Sequence, residues 1–213
     1  MRKAILPWLI LAMSFIYIFL IPEDPIALKV SFKLIPMVLI IGYALLQLPE
    51  RRAAEHYLIL AGLLCSMIGD AFIAFSFVAG LGAFLVGHLF YLSGFIKMRK
   101  SSNPRLAVIL LLAIYSFLIG RELIGSLQES GEGALMVPVL LYILVISLMA
   151  LTAFMTGSKW AIAGSLLFVL SDTILSWNMF VSPVPFSGVF IMTTYYTAQF
   201  LIATSVRADS AES

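Results

Sequence analysis

Asp70 and Asp172 are acids set inside apolar stretches, GLLCSMIGDAFIAF and GSLLFVLSDTILSW, each within a hydrophobic run long enough to cross a bilayer. A carboxylate in hydrocarbon costs about 2.5–3.5 kcal/mol on insertion scales, so such a residue faces a cavity, pairs with another group or does chemistry. The chemistry open to two of them is proton transfer, because a buried pair of carboxyls can share one proton and serve as acid and base. They lie 102 residues apart in a chain of 213.

Elements must bring such residues together, and the composition says which kind. The chain is 62% hydrophobic and 11% charged, with a mean hydropathy of +1.08. Soluble domains carry about 25% charged residues, so this reads as a polytopic membrane protein. Eight segments have spanning length: 5–21, 29–48, 56–76, 81–97, 105–124, 134–155, 160–180 and 186–206. The breaks carry turn chemistry or charge: IPEDP, QLPERRAAEH, SFVAGLG, KMRKSSNPR, RELIGSLQESGEG, TGSK and VSPVPFSG. Spans in lipid must be helical, because lipid offers no partner for exposed backbone groups. The expected fold is an all-α integral membrane protein, one domain over 1–213. MRKAILPWLILAMSFIYIFLIPEDP has the outline of a signal peptide but lacks a small-residue cleavage site, so it reads as an uncleaved first span.

Eight spans place Arg2, Lys3, Arg51, Arg52, Lys97, Arg99, Lys100, Arg105, Lys159 and Arg207 on one side. The other side holds Lys29, Lys33 and Arg121 with the acids Glu23, Asp24, Glu122, Glu129 and Glu132. The positive-inside rule then puts both termini in the cytoplasm. Short loops and the absence of a soluble domain suggest a bacterial inner membrane. Aligning Asp70 with Asp172 also aligns Gly62 with Gly164 and Leu64 with Leu166. This suggests a parallel repeat of two four-helix halves, 1–104 and 105–206; chance likeness of two apolar segments is the alternative.

Depth adds a second clue. At 1.5 Å per residue, Asp70 lies about 10 Å from the outer end of its span, Asp172 about 13 Å, His88 about 10 Å and Tyr195–Tyr196 about 14 Å. Lys33, before Pro36, is a little shallower. Convergence at one level points to a shared polar cavity opening to the outer leaflet. Gly62, Ser66, Gly69 and Asp70 share one helical face, His88 and Tyr91 are neighbours at i and i+3, and Tyr195 and Gln199 at i and i+4. Small residues on a face also serve helix packing, and a lone intramembrane histidine or a snorkelling lysine has an ordinary structural reading.

Other chemistries lack their residues. No glycine-rich phosphate loop or nucleotide-binding unit occurs, and nothing points to nucleic acid. Zinc hydrolysis needs three protein ligands, and the two histidines, His56 and His88, fall at opposite ends of the membrane. Ser66 or Ser171 with His88 carries no nucleophile elbow. Met67-Ile68-Gly69-Asp70 does not match the glycine-x-glycine-aspartate signature of intramembrane aspartyl proteases. Cys65 is the single cysteine, so no intramolecular disulfide forms. No heptad or small-xxx-small seam sets an oligomeric state.

LLCSMIGDAFIAF, FLVGHLFYLSGF, SLLFVLSDTILSW, TTYYTAQFLIATS and the Lys33-Leu34-Ile35-Pro36 stretch together resemble the lysoplasmalogenase (YhhN-like) family of multi-pass membrane hydrolases. The resemblance implies hydrolysis of the vinyl ether bond of lysoplasmalogens, a lysophospholipid substrate, to fatty aldehyde and a glycerophospho-base. Carried over by position, the family's aspartates are Asp70 and Asp172, its His-x-x-Tyr pattern is His88 and Tyr91, and its Tyr-Tyr-x-Ala-Gln pattern is Tyr195, Tyr196 and Gln199. The expectation is an Asp70–Asp172 acid–base pair, with His88, Tyr91, Tyr195, Tyr196 and Gln199 orienting it or the water. Lys33 would face the substrate phosphate, the hydrocarbon chain would lie between helices, and no cofactor or metal is required. The alternative is a proton-coupled transporter of lipid or another small molecule, which would also use paired intramembrane aspartates.

Overall fold

The structure, a computed structural model, describes residues 2–100 and 106–207. Arg105 and the proposed boundary between halves at 104/105 lie outside the described residues, as do Met1 and 208–213, and the side chains of Arg2 and Lys3 are likewise not described. Among the described residues eight α-helices follow one another: α1 Arg2–Leu20, α2 Ile26–Gln47, α3 Ala54–Phe72, α4 Phe77–Met98, α5 Leu106–Glu129, α6 Met136–Thr156, α7 Lys159–Phe180 and α8 Ser187–Ser205. A single 3-10 turn, Gly133–Leu135, precedes α6, and no strand occurs among the described residues. Six helices, α2 to α7, are long and apolar enough to cross a membrane; α1 has a shorter apolar stretch, Ala4–Leu20. The molecule is a multi-pass membrane protein.

Local chemistry sets several ends. Ser76 accepts a bond from the Ala79 N–H at the start of α4, and Ser158 one from Ala161 at the start of α7. α6 stops at Gly157, whose φ of 72° is the left-handed conformation glycine adopts without strain. α8 is the polar exception, rich in Thr and Tyr; it buries Tyr195, Tyr196, Gln199 and Ile202 inside the bundle rather than showing them to lipid.

Two expected boundaries are corrected. The fifth span was expected to end at 124 within RELIGSLQESGEG, yet α5 continues through that stretch to Glu129. The helix continues because Leu123 and Leu127, one turn apart, are buried against Val139 of α6, and Ser126 donates to the carbonyl of Phe180. α3 ends at Phe72 rather than 76, where a turn closes onto Gly80 of α4. A side chain at Gly80 would approach the Ile73 Cα to 2.8 Å, so only glycine lets the chain return this tightly. Asp70 therefore sits about 3 Å from the end of its helix, not 10 Å, and His88 lies deeper along α4 than its span implied, about 16 Å from the helix start. Counted from the helix ends these distances are unequal, while Lys33, Asp70, Asp172 and Tyr195 line one cavity.

The most extensive packing joins α3 to α4 and α7 to α8. A Cβ at Gly62 would sit 2.4 Å from the Tyr91 ring, and one at Gly164 would sit 2.8 Å from Ile202 Cγ1 and 3.0 Å from the Ala198 carbonyl. Both pairs are thus close crossings permitted by a missing side chain.

Candidate active site

Each aspartate is fixed by two other helices. Asp70, 2% exposed, receives Lys33 of α2 at 3.1 Å on Oδ1 and the Tyr195 hydroxyl of α8, which donates at 2.6 Å, on Oδ2. Lys33 is placed by its own backbone: Tyr196 donates to the Lys33 carbonyl at 2.8 Å. Gly69, beside Asp70, leaves room for Phe84 of α4, whose ring would lie 2.9 Å from an added Cβ. Phe84 in turn stands edge-on to Tyr195 and Phe168. Asp70 is therefore a buried carboxylate with a cation on one oxygen and a phenol on the other, the compensation a charge needs in the interior.

Asp172, whose side chain is 14% exposed, is bound differently. Tyr142 of α6 donates to Oδ2, and His88 of α4 reaches the same oxygen at 3.3 Å. His88 Nε2 is also 2.9 Å from the Tyr142 hydroxyl. Since Tyr142 spends its hydrogen on Asp172, the Nε2 nitrogen carries the proton and donates. The ring is wholly buried, edge-on to Phe168 at 4.6 Å and to Tyr142 at 5.2 Å, and its Nδ1 has no partner among the described residues. Among the described residues no hydrogen bond or ion pair reaches Oδ1 of Asp172.

Both carboxylates line one cavity, about 1360 Å³ counted out to its mouth. Lys33, Tyr195, Ser171 and Phe84 share its wall, and Glu23, Asp24 and Lys29 stand in its lining toward the α1–α2 connection. Lys29 pairs with Glu23 there. Tyr91 and Gln199 are brought together, the phenol donating to Oε1 at 2.6 Å, but neither is hydrogen-bonded to a carboxylate. They cross-brace α4 and α8. Tyr196 serves Lys33 rather than an acid. Sequence reasoning missed Tyr142. Its signal is slight: it is the single Tyr, His or charged residue of α6, otherwise the most apolar of the candidate spans. Among the described residues no three His, Cys, Asp or Glu side chains cluster closely enough to hold a metal ion.

This arrangement can do acid–base chemistry on an amphiphile. One carboxyl is paired with a cation and a phenol, and the other has an oxygen with no hydrogen-bond partner among the described residues. Comparison with known proteins fits that reading. The YhhN family model matches residues 28–206. The chain is 32% identical to human lysoplasmalogenase TMEM86B over 190 residues, covering 87% of this chain and 78% of that protein. It is 31% identical to the Mus musculus TMEM86B over 96% of this chain and 86% of the relative. It is 28% identical to a lysoplasmalogenase of Mycobacterium tuberculosis over 70% of this chain and 59% of that one. No solved structure matches. The chain belongs to the YhhN family.

Proposed function

We propose that this protein is a lysoplasmalogenase-like membrane hydrolase that cleaves the vinyl ether bond of a lysoplasmalogen. The observation that carries the reading is the pair of unlike carboxylates on one cavity, in a chain whose relatives are named lysoplasmalogenase. Vinyl ether hydrolysis starts with protonation of the distal vinyl carbon, which leaves an oxocarbenium ion. Water adds to the carbon bearing oxygen, and the hemiacetal collapses to aldehyde and alcohol. Asp172 is suited to the proton transfer, through the Oδ1 that no neighbour engages; the resulting carboxylate can accept a proton from the attacking water. Asp70, held against Lys33 and Tyr195, is suited to stabilising the positive charge across the cavity. General acid–base help of this kind is worth about 10²- to 10⁴-fold. Tyr142 and His88 orient Asp172, Tyr195 orients Asp70, and Tyr196, Tyr91 and Gln199 hold the helices that carry these groups. Lys33, with Lys29 nearer the mouth, supplies positive charge on the path of a phosphate.

The same reading takes all eight helices as spans of a single domain, with both termini cytoplasmic, in a bacterial inner membrane, and the cavity opening to the outer leaflet. A parallel repeat finds support in the partner pattern. Asp70 of α3 is held by α2 and α8, and Asp172 of α7 by α6 and α4: in each case the preceding helix and the last helix of the other half. The deciding experiment incubates purified protein in detergent with a lysoplasmalogen. Aldehyde and glycerophospho-base released in equal amounts support hydrolysis. No release from folded protein would refute it, and turnover without a sealed membrane excludes a purely transporting role.

A further inference from the structure

Asp172 borders two spaces. Besides the polar cavity it lines a narrow crevice between α4, α5, α6 and α7, with about 50 Å³ of enclosed room that continues into open space at its mouth. Ile73, Phe84 and Leu175 belong to both walls, so the two spaces meet at Asp172. Beyond that seam the crevice is apolar, walled by Phe77, Ile119, Val139, Ile143, Ile146 and Val169. The hydroxyls that border it are already engaged: Tyr115 with Thr173, Ser147 with Ser116 at 2.7 Å, and Ser176 with the Asp172 carbonyl at 2.7 Å.

We infer that this crevice is the binding site for the hydrocarbon chain of a single-chain lipid, with the polar cavity taking its headgroup. The occupant follows from the seam. The bond to be cleaved in an alkenyl lysolipid is the boundary between hydrocarbon and polar moiety, and Asp172 stands at the boundary between an apolar and a polar space. A chain in the crevice and a glycerophospho-base beside Lys33 set the vinyl group at the carboxyl. The charges also fit this direction: Lys29, Lys33, Glu23 and Asp24 all line the polar side, and Asp172 at the seam is the sole charged residue of the crevice. Each further CH₂ buried tightens binding about fourfold, so grip in the crevice appears as a dependence on chain length.

The inference rests on the hydrolase reading, and two arms separate them. In the first, detergent-solubilised wild-type protein is irradiated with a non-hydrolysable 1-O-alkyl lysophospholipid carrying a diazirine in mid-chain. Labelled peptides from α5 and α6, suppressed by unlabelled lipid, are expected. Label confined to α1, α2 and α8 would overturn the site, and this arm needs no turnover. In the second, Ile143→Trp and Ile119→Trp narrow the crevice. Each is expected to raise KM for long-chain lysoplasmalogens about tenfold or more, with short-chain substrates little changed. Met179→Trp, on the polar cavity alone, should affect all chain lengths alike. An equal penalty at every chain length in the crevice variants would overturn the assignment. If the wild type releases no aldehyde, the hydrolase reading fails and the labelling map alone decides the chain site.

Discussion

Asp70 and Asp172 occupy corresponding helices and differ in nearly every contact. Asp70 is sealed, with one oxygen on an ammonium and the other on a phenol. Asp172 lines two cavities and has both partners crowded onto Oδ2, with no hydrogen-bond partner on Oδ1 among the described residues. The difference teaches that corresponding positions on two helices do not make two acids equal in chemistry. A carboxylate whose lone pairs are spent on a fixed cation is a charge in a frame. A carboxyl held by one oxygen is oriented and still has an oxygen for substrate. Under the proposed function, the two acids would divide the labour of a reaction that creates positive charge and moves a proton.

The contrast predicts unequal losses. Asp172→Asn keeps the shape and removes the transferable proton, so aldehyde release should fall about 10³-fold, within the usual range for a lost general acid. Asp70→Asn should cost about tenfold to a hundredfold, as a lost electrostatic contribution of roughly 1.4–2.7 kcal/mol. Equal losses would return the two acids to a symmetric dyad. The readout is kcat in detergent for protein of matched folding.

Stability reverses the order. Lys33→Met leaves Asp70 buried without its cation, and breaking such a pair costs about 3–5 kcal/mol. Thermal unfolding should show a large drop for Lys33→Met, a good part of it recovered in the Lys33→Met/Asp70→Asn double variant, because an amide tolerates the site better than a lone carboxylate. No recovery would mean that Lys33 holds the fold by some route other than Asp70.

Tyr142→Phe sharpens the comparison on the other side. It removes one of the two groups that aim Asp172 and leaves the carboxyl in place. We expect kcat to fall about tenfold, near 1.4 kcal/mol, with KM within twofold. A loss in KM instead would make Tyr142 a wall of the chain crevice rather than a positioning residue.

The helices were legible because lipid leaves the chain little choice: long apolar runs punctuated by Pro, Gly and charge gave segments that match the eight helices within a few residues at most ends. The end of α5 escaped because the residues after 124 read as loop, while Leu123 and Leu127 extend the helix by packing at one-turn spacing. The acids, His88, Lys33 and Tyr195 were legible from their cost in hydrocarbon, and they do share a site. Their partners were not. The pairing of Lys33 with Asp70 was hidden because an ion pair 37 residues apart depends on how α2 crosses α3. Tyr142 was invisible because a single phenol in an apolar helix looks like packing until His88 and Asp172 are found around it. Tyr91 and Gln199 carried a polar spacing that turned out to brace each other.

The central claim, that Asp172 hands over the proton while Asp70 stabilises charge, is tested most directly by chemical rescue. Asp172→Ala and Asp70→Ala proteins are each assayed for aldehyde release with and without added formic acid, which is small enough to enter the cavity. The account predicts that formic acid restores turnover to Asp172→Ala and not to Asp70→Ala, whose lost charge is fixed by Lys33 and Tyr195 rather than exchanged. Rescue of Asp70→Ala with none for Asp172→Ala would contradict it.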